Sequence, residues 1–152
     1  MIFPYRSVVA EAPDGKDFYY LLRRPEIPIL VHGPTRAGNY IGLVDTGSDH
    51  TILPMTVARY LGISVRLESG PAASAFGGHR VQLSVGEVIL TLQSQGKAIN
   101  WATEVCFFEF PDQEEESFVL GHSGFLDYFT ATFDGKLGTL TLEPNDELPI
   151  AD

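Results

Sequence analysis

The chain has 152 residues, 44% of them hydrophobic, and a formal net charge of −10. That is enough for one domain with a sizeable core, and too acidic for a protein that must neutralise nucleic-acid phosphates. No apolar run reaches the length of a membrane span, the start Met1-Ile2-Phe3-Pro4-Tyr5-Arg6 lacks the basic flank and long apolar stretch of a signal peptide, and Cys106 is the only cysteine; a cytoplasmic protein with neither nucleic acid nor membrane as partner is expected.

In chain order, residues 1–26 read as an N-terminal extension of edge strands, with strand-like segments Ser7 to Ala10 and Phe18 to Leu22 and a hairpin turn at Asp14-Gly15. An added edge strand, pairing in a dimer sheet and removal by self-cleavage are its open roles. Ile27 to His32 is the first strand of the main domain, residues 27–143, and Tyr40 to Val44 is a second, buried one. After Thr51-Ile52-Leu53, Pro54 opens a helix over Met55 to Leu61 that Gly62 ends. Phe76-Gly77-Gly78 marks a hairpin tip, because paired glycines supply the positive φ angles of a tight turn. Alternating segments follow at Val81 to Val85, Glu87 to Leu92 and Asn100 to Phe108, with Cys106 as a small core residue. The acid run Asp112 to Glu116 is a solvated loop. Val119-Leu120-Gly121 is a buried strand end, Gly124 to Phe129 an aromatic-rich helix, and Thr130 to Phe133 with Leu137 to Leu142 a hairpin about Asp134-Gly135. Residues 144–152 form a tail.

The chemistry concentrates in Val44-Asp45-Thr46-Gly47-Ser48-Asp49. A carboxylate at the end of an apolar strand, followed at once by a tight turn, sits on a rigid edge. Gly47 lets the backbone reverse without a Cβ clash, Thr46 is stiff at χ1 so its hydroxyl can be aimed, and Ser48 is able to donate to the carboxylate. Other chemistries fare worse. His32, His50, His79 and His122 are scattered without zinc spacing, and no HExxH or cysteine pair is present, so neither metal nor cofactor is expected. Gly121-His122-Ser123-Gly124 lacks the last glycine of Gly-x-Ser-x-Gly at its proper place.

From about Ile27 to about Glu143 the order of these features resembles the retropepsins, the single-domain aspartic proteases best known from retroviruses, and the chain is identified as a non-viral member of that group. The resemblance implies an all-β fold: a closed acid-protease barrel with a flap hairpin and one or two short helices. It implies Asp45 as the catalytic acid and Thr46, Gly47 and Ser48 as support for the dyad. Asp49 and the flap residues Phe76, Gly77 and Gly78 would meet a peptide substrate, and Gly121 and His122 would be structural. Water activation between two carboxylates needs a second Asp, and 152 residues leave no room for a two-lobed form, so a homodimer is expected, with one Asp45 from each chain and Thr46 reaching across the axis.

Two departures from the retroviral pattern carry expectations. Ser48 stands where alanine is usual, and its hydroxyl would favour the ionised dyad and lower-pH activity. His122 stands where an arginine is usual, and would pair with Asp49 most strongly when protonated. The rival reading of another class is a dimeric, retropepsin-like peptide-binding or scaffolding module with little or no proteolysis. Intact Asp45, Thr46 and Gly47 argue against it, since binding alone needs no acid facing its twin.

Overall fold

Residues 1–11, 19–67, 73–75, 79–112 and 114–149 are described by the computed structural model. Strands β1 (Ile2–Pro4), β2 (Arg6–Glu11), β3 (Tyr19–Arg24), β4 (Glu26–His32), β5 (Ala37–Val44) and β6 (Ile52–Pro54) precede helix α1 (Met55–Leu61). They are followed by β7 (Arg66–Leu67), β8 (Ala73–Ala75), β9 (His79–Val81), β10 (Ser84–Ser94), β11 (Lys97–Phe108) and β12 (Val119–Leu120). A single 3-10 turn at Leu126–Tyr128 leads to β13 (Phe129–Asp134) and β14 (Thr139–Pro144).

Six of these strands close into a ring. The order β11-β6-β12-β5-β4-β10 is joined by the pairing of β10 with β11, so the ring has no open edge. Alternation drives it: in β4, Ile27, Ile29 and Val31 point inward and are fully or almost fully buried, while Pro28 faces out. The β10–β11 hairpin turns at Gln95-Gly96, where both residues take positive φ (53° and 76°), the geometry that matches the twist of the strands. α1 begins after an extended Pro54 and stops at left-handed Gly62 (φ 72°), as its sequence predicts. The fold is the expected all-β closed barrel with one short α-helix.

Phe3, Leu140 and Leu142 carry a smaller sheet, β1-β14-β13, into the same core. Trp101 stands at the centre, edge-on to Phe129 (5.4 Å between centroids) and tilted against Phe125 (5.9 Å), and its indole N–H donates to Gly124 O at 3.1 Å. That bond ties the segment after Gly121 to the barrel.

Three sequence expectations are corrected. Val81 to Val85 is not one strand: β9 pairs with β8, whereas β10 starts at Ser84 on β7 and β11, and periodicity does not register a change of partner. The Gly124 to Phe129 helix is only the 3-10 turn, because Phe129 is taken by β13 opposite Pro144. The last strand begins at Thr139, since Asp134 accepts the Leu137 and Gly138 N–H groups (2.8 and 2.7 Å) and holds both in the turn. Asp14-Gly15, Phe18 and the flap tip Phe76, Gly77 and Gly78 lie outside the described residues; the hairpin legs β8 and β9 pair antiparallel, Ala75 opposite His79.

Candidate functional site: the Asp45 turn

Asp45 directly follows β5, and main-chain bonds fix its position. β12 runs parallel to β5 with Leu120 opposite Val44, and the Asp45 N–H donates to Leu120 O at 3.1 Å. The strands approach so closely that a Cβ on Gly42 would lie 2.7 Å from the Leu120 side chain. Beyond Asp45 the chain turns on two bonds: Ser48 N–H to Asp45 O (3.3 Å) and Gly47 N–H to Asp45 Oδ1 (2.8 Å). The second holds one carboxylate oxygen in place. It also changes the reason for Gly47. Its φ is not positive; a Cβ there would instead sit 3.2 Å from the carboxylate oxygen that its N–H serves.

The turn is clamped from behind by the segment after β12. His122 N–H donates to Ser48 O (2.9 Å), Ser123 N–H to Asp49 O (3.0 Å) and Thr51 N–H to Ser123 O (3.0 Å). At this crossing a Cβ on Gly121 would lie 2.2 Å from His50 O and 2.7 Å from Ser48 O, both main-chain atoms, so only glycine fits.

Side chains depart from expectation at two positions. The Ser48 hydroxyl donates to His50 O at 2.7 Å, bracing its own turn rather than the carboxylate, because the main chain bends its carbonyl within reach. That removes the stated ground for lower-pH activity. His122 pairs not with Asp49 but with Asp127: Nδ1 lies 3.7 Å from Asp127 Oδ1, since the 3-10 turn brings that residue back beside it. Its Nε2 lies 3.1 Å from Thr46 O, an acceptor only, so Nε2 carries a proton and donates to the Asp-Thr-Gly turn, while the contact with Asp127 is an ion pair only when Nδ1 is protonated as well. Thr46 itself is exposed.

Asp45 is half-buried and opens on a cleft of about 280 Å³. Ile41, Leu43 and Phe118 give it an apolar side, with Phe118 stacked on Tyr40 at 4.7 Å. Burial, and next the neighbouring Tyr60, raise the Tyr40 phenol above its ordinary pKa, so it stays neutral. One rim carries Arg6, Arg24 and Glu26, the other Glu115 and Glu116. Sequence reasoning missed this rim and Asp127, for no local signal links Arg6 to a turn nearly forty residues away. Glu26 is held by Arg6 (3.3 Å) and Arg24 (3.7 Å), and Glu116 accepts from Thr56 Oγ1 (2.8 Å), so neither offers Asp45 an unengaged partner acid.

A larger cavity, about 470 Å³, lies elsewhere against β10 and β11, beside His32, Glu87, Ile89 and Glu104. A hydrogen bond from Arg66 holds Glu104 below the usual carboxylate range against a smaller opposing effect of burial. Asp45 does not line it, so chemistry and not volume marks the site. Among the described residues no group of three or more histidine, cysteine or acidic side chains converges as a metal would need, and no helix is long and apolar enough to cross a membrane.

No protein-family model and no curated protein matches this chain. Among solved structures it is similar to EIAV protease complexed with the inhibitor HBY-793, at 22% sequence identity and a TM-score of 0.43, over 69% of this chain and 88% of that one.

Proposed function

We propose that this chain is a cofactor-free, non-viral aspartic endopeptidase of the retropepsin-like type that works as a homodimer in the cytoplasm. The observation that carries the reading is the Asp45 turn: a single Asp-Thr-Gly carboxylate, one oxygen held by the Gly47 N–H, clamped by main-chain bonds and open on a cleft with an apolar side. One such acid cannot both activate a water and polarise a carbonyl, so the second Asp45 comes from the second copy.

In the dimer, two carboxylates about 3 Å apart cannot both ionise easily and share one proton, as aspartic-protease dyads are established to do. The ionised member takes a proton from water, the resulting hydroxide equivalent attacks the scissile carbonyl carbon, and the protonated member gives its proton to the carbonyl oxygen. Collapse of the tetrahedral adduct expels the amine, which is protonated as it leaves. Thr46 of each copy braces the other across the axis, Gly47 and Ser48 hold the turn, and Gly121 and His122 support it from behind. An extended peptide lies over Asp45 and Asp49, paired in strand fashion and covered by the flap at Phe76, Gly77 and Gly78. Residues 27–143 form the catalytic unit, with 1–26 as its extension and 144–152 as its tail. Two departures from the usual viral residues, Ser48 and His122, support the non-viral assignment.

The test is cleavage of a diverse peptide library by the purified chain and by Asp45→Asn. Cleavage by wild type that disappears in the variant is expected. Peptide binding without cleavage by wild type would favour the scaffolding module instead.

A further inference from the structure

The cavity of about 470 Å³ against β10 and β11 takes no part in the reading above, yet it is built like a binding site. Its floor is the outer face of the sheet, where His32, Ile89 and Ala102 lie in one row across β4, β10 and β11. Ala102 is short and Ile89 is 42% exposed, so the row is a hollow with an apolar bottom. His32 is held along the sheet, its Nε2 3.0 Å from Thr91 Oγ1. One wall is the Gly33-Pro34 turn, and main chain fixes it: a Cβ on Gly33 would collide with Leu61 O, and the Thr35 N–H and hydroxyl both donate to that same carbonyl (3.3 and 3.0 Å). An apolar hollow with fixed walls and a few polar groups is the usual form of a ligand site.

The charge beside this floor is unbalanced. Glu87 and Glu104 face each other directly across β10 and β11, a like-charged pair that costs stability unless a cation joins it. Arg66 joins Glu104 at 2.6 Å; among the described residues nothing pairs with Glu87. The main chain is open here too. β10 is paired on this edge by β7 at Ser84 and Val85 and by β4 from Ile89 to Thr91, so the ladder is interrupted beside Glu87. Val88 packs its side chain into the core and therefore lines the cavity through its backbone.

We propose that this cavity binds a basic peptide segment: the stem of one arginine or lysine lies on Ile89 and Ala102, its cationic head meets Glu87, and its backbone meets the interrupted ladder. Long basic side chains bury their stems on apolar surface while the head stays with its counter-charge, and an exposed strand edge takes an extended peptide. The net charge of −10 draws such a segment toward the protein. Asp45 does not line this cavity, and the inference stands whether or not the chain cleaves peptides.

The test is a titration of the isotope-labelled full chain with acetyl-Ala-Arg-Ala-amide, read from backbone amide shifts in NMR, beside the same peptide with uncharged norleucine in place of arginine. Saturable shifts centred on Gly33, Glu87, Val88, Ile89 and Ala102 are expected. The dissociation constant should rise roughly fivefold in Glu87→Gln and roughly tenfold for the norleucine peptide. Glu87 is exposed and glutamine keeps its shape, so the variant folds, which its own spectrum checks. No saturable shift at these residues, or an affinity indifferent to both changes, overturns the site. n-Butylguanidinium binding as tightly as the arginine peptide overturns the peptide as occupant and assigns a free organic cation. Shifts confined to the Asp45 turn overturn this site and leave the protease reading standing.

Discussion

The Asp45 turn and the β2–β3 hairpin lie on the same cleft and are held in opposite ways. At the turn nearly every contact is internal and main-chain: two segments cross at Gly121, and even one added methyl has no space. On the hairpin Val9 and Leu21 are 64% and 70% exposed, and Arg23 on the same face reaches back to the chain through one bond, to Leu137 O at 2.8 Å. The comparison teaches that main-chain crossings fix the acid, while the hairpin beside it rests on side chains that solvent still reaches. On the proposed dimer reading, one carboxylate is fixed by the fold and the other comes from the second copy.

Substitutions break or sharpen this contrast. The largest effect is expected at the crossing: Gly121→Ala puts a Cβ against His50 O and Ser48 O, neither of which is a flexible side-chain end. Destabilisation of roughly 3 kcal/mol is expected, a fall of roughly 10 °C in a thermal melt followed by circular dichroism. On the hairpin, Val9→Asp/Leu21→Asp should barely move the same melt, because solvent-facing substitutions away from such crossings stay within about 0.5 kcal/mol each. Equal losses at both places would erase the distinction.

A smaller and more selective effect is expected at His122, a positioning residue. Its side chain is 49% exposed, so His122→Ala should cost about 1 kcal/mol or less in stability. Thr46 O loses its donor, however, and the turn loosens under Asp45. The expected signature is a fall of roughly tenfold in kcat with KM and melting temperature little changed, and partial recovery in His122→Gln, which restores an N–H donor. A variant that loses stability and activity in proportion would assign His122 a merely structural part.

How legible the molecule was from its sequence depended on how local each signal was. Asp45, the Gly62 stop and the alternation of β4 lie within a few residues of what determines them, and each stands where the sequence places it. Partnerships over distance were not legible. His122 was matched to Asp49 through the family pattern, but the 3-10 turn returns Asp127 to its ring, and a helix shortened by β13 cannot be seen in an aromatic-rich hexapeptide. The Ser48 hydroxyl was assigned to the Asp45 carboxylate, and it is the bend of the backbone that brings His50 O to it instead. The joining of β1 to β14, nearly the whole chain apart, leaves no mark in the periodicity of either strand.

The central claim, that each active centre takes one Asp45 from each of two copies, is tested most directly by mixing. Wild type and Asp45→Asn are combined in equal amounts, allowed to exchange subunits, and assayed for peptide cleavage at fixed wild-type concentration. Random pairing leaves about half of the wild-type chains paired with an inactive copy, so activity per wild-type chain should fall to about half and continue falling as the variant is increased. Activity that stays constant however much Asp45→Asn is added, with exchange verified by mass, would contradict the claim.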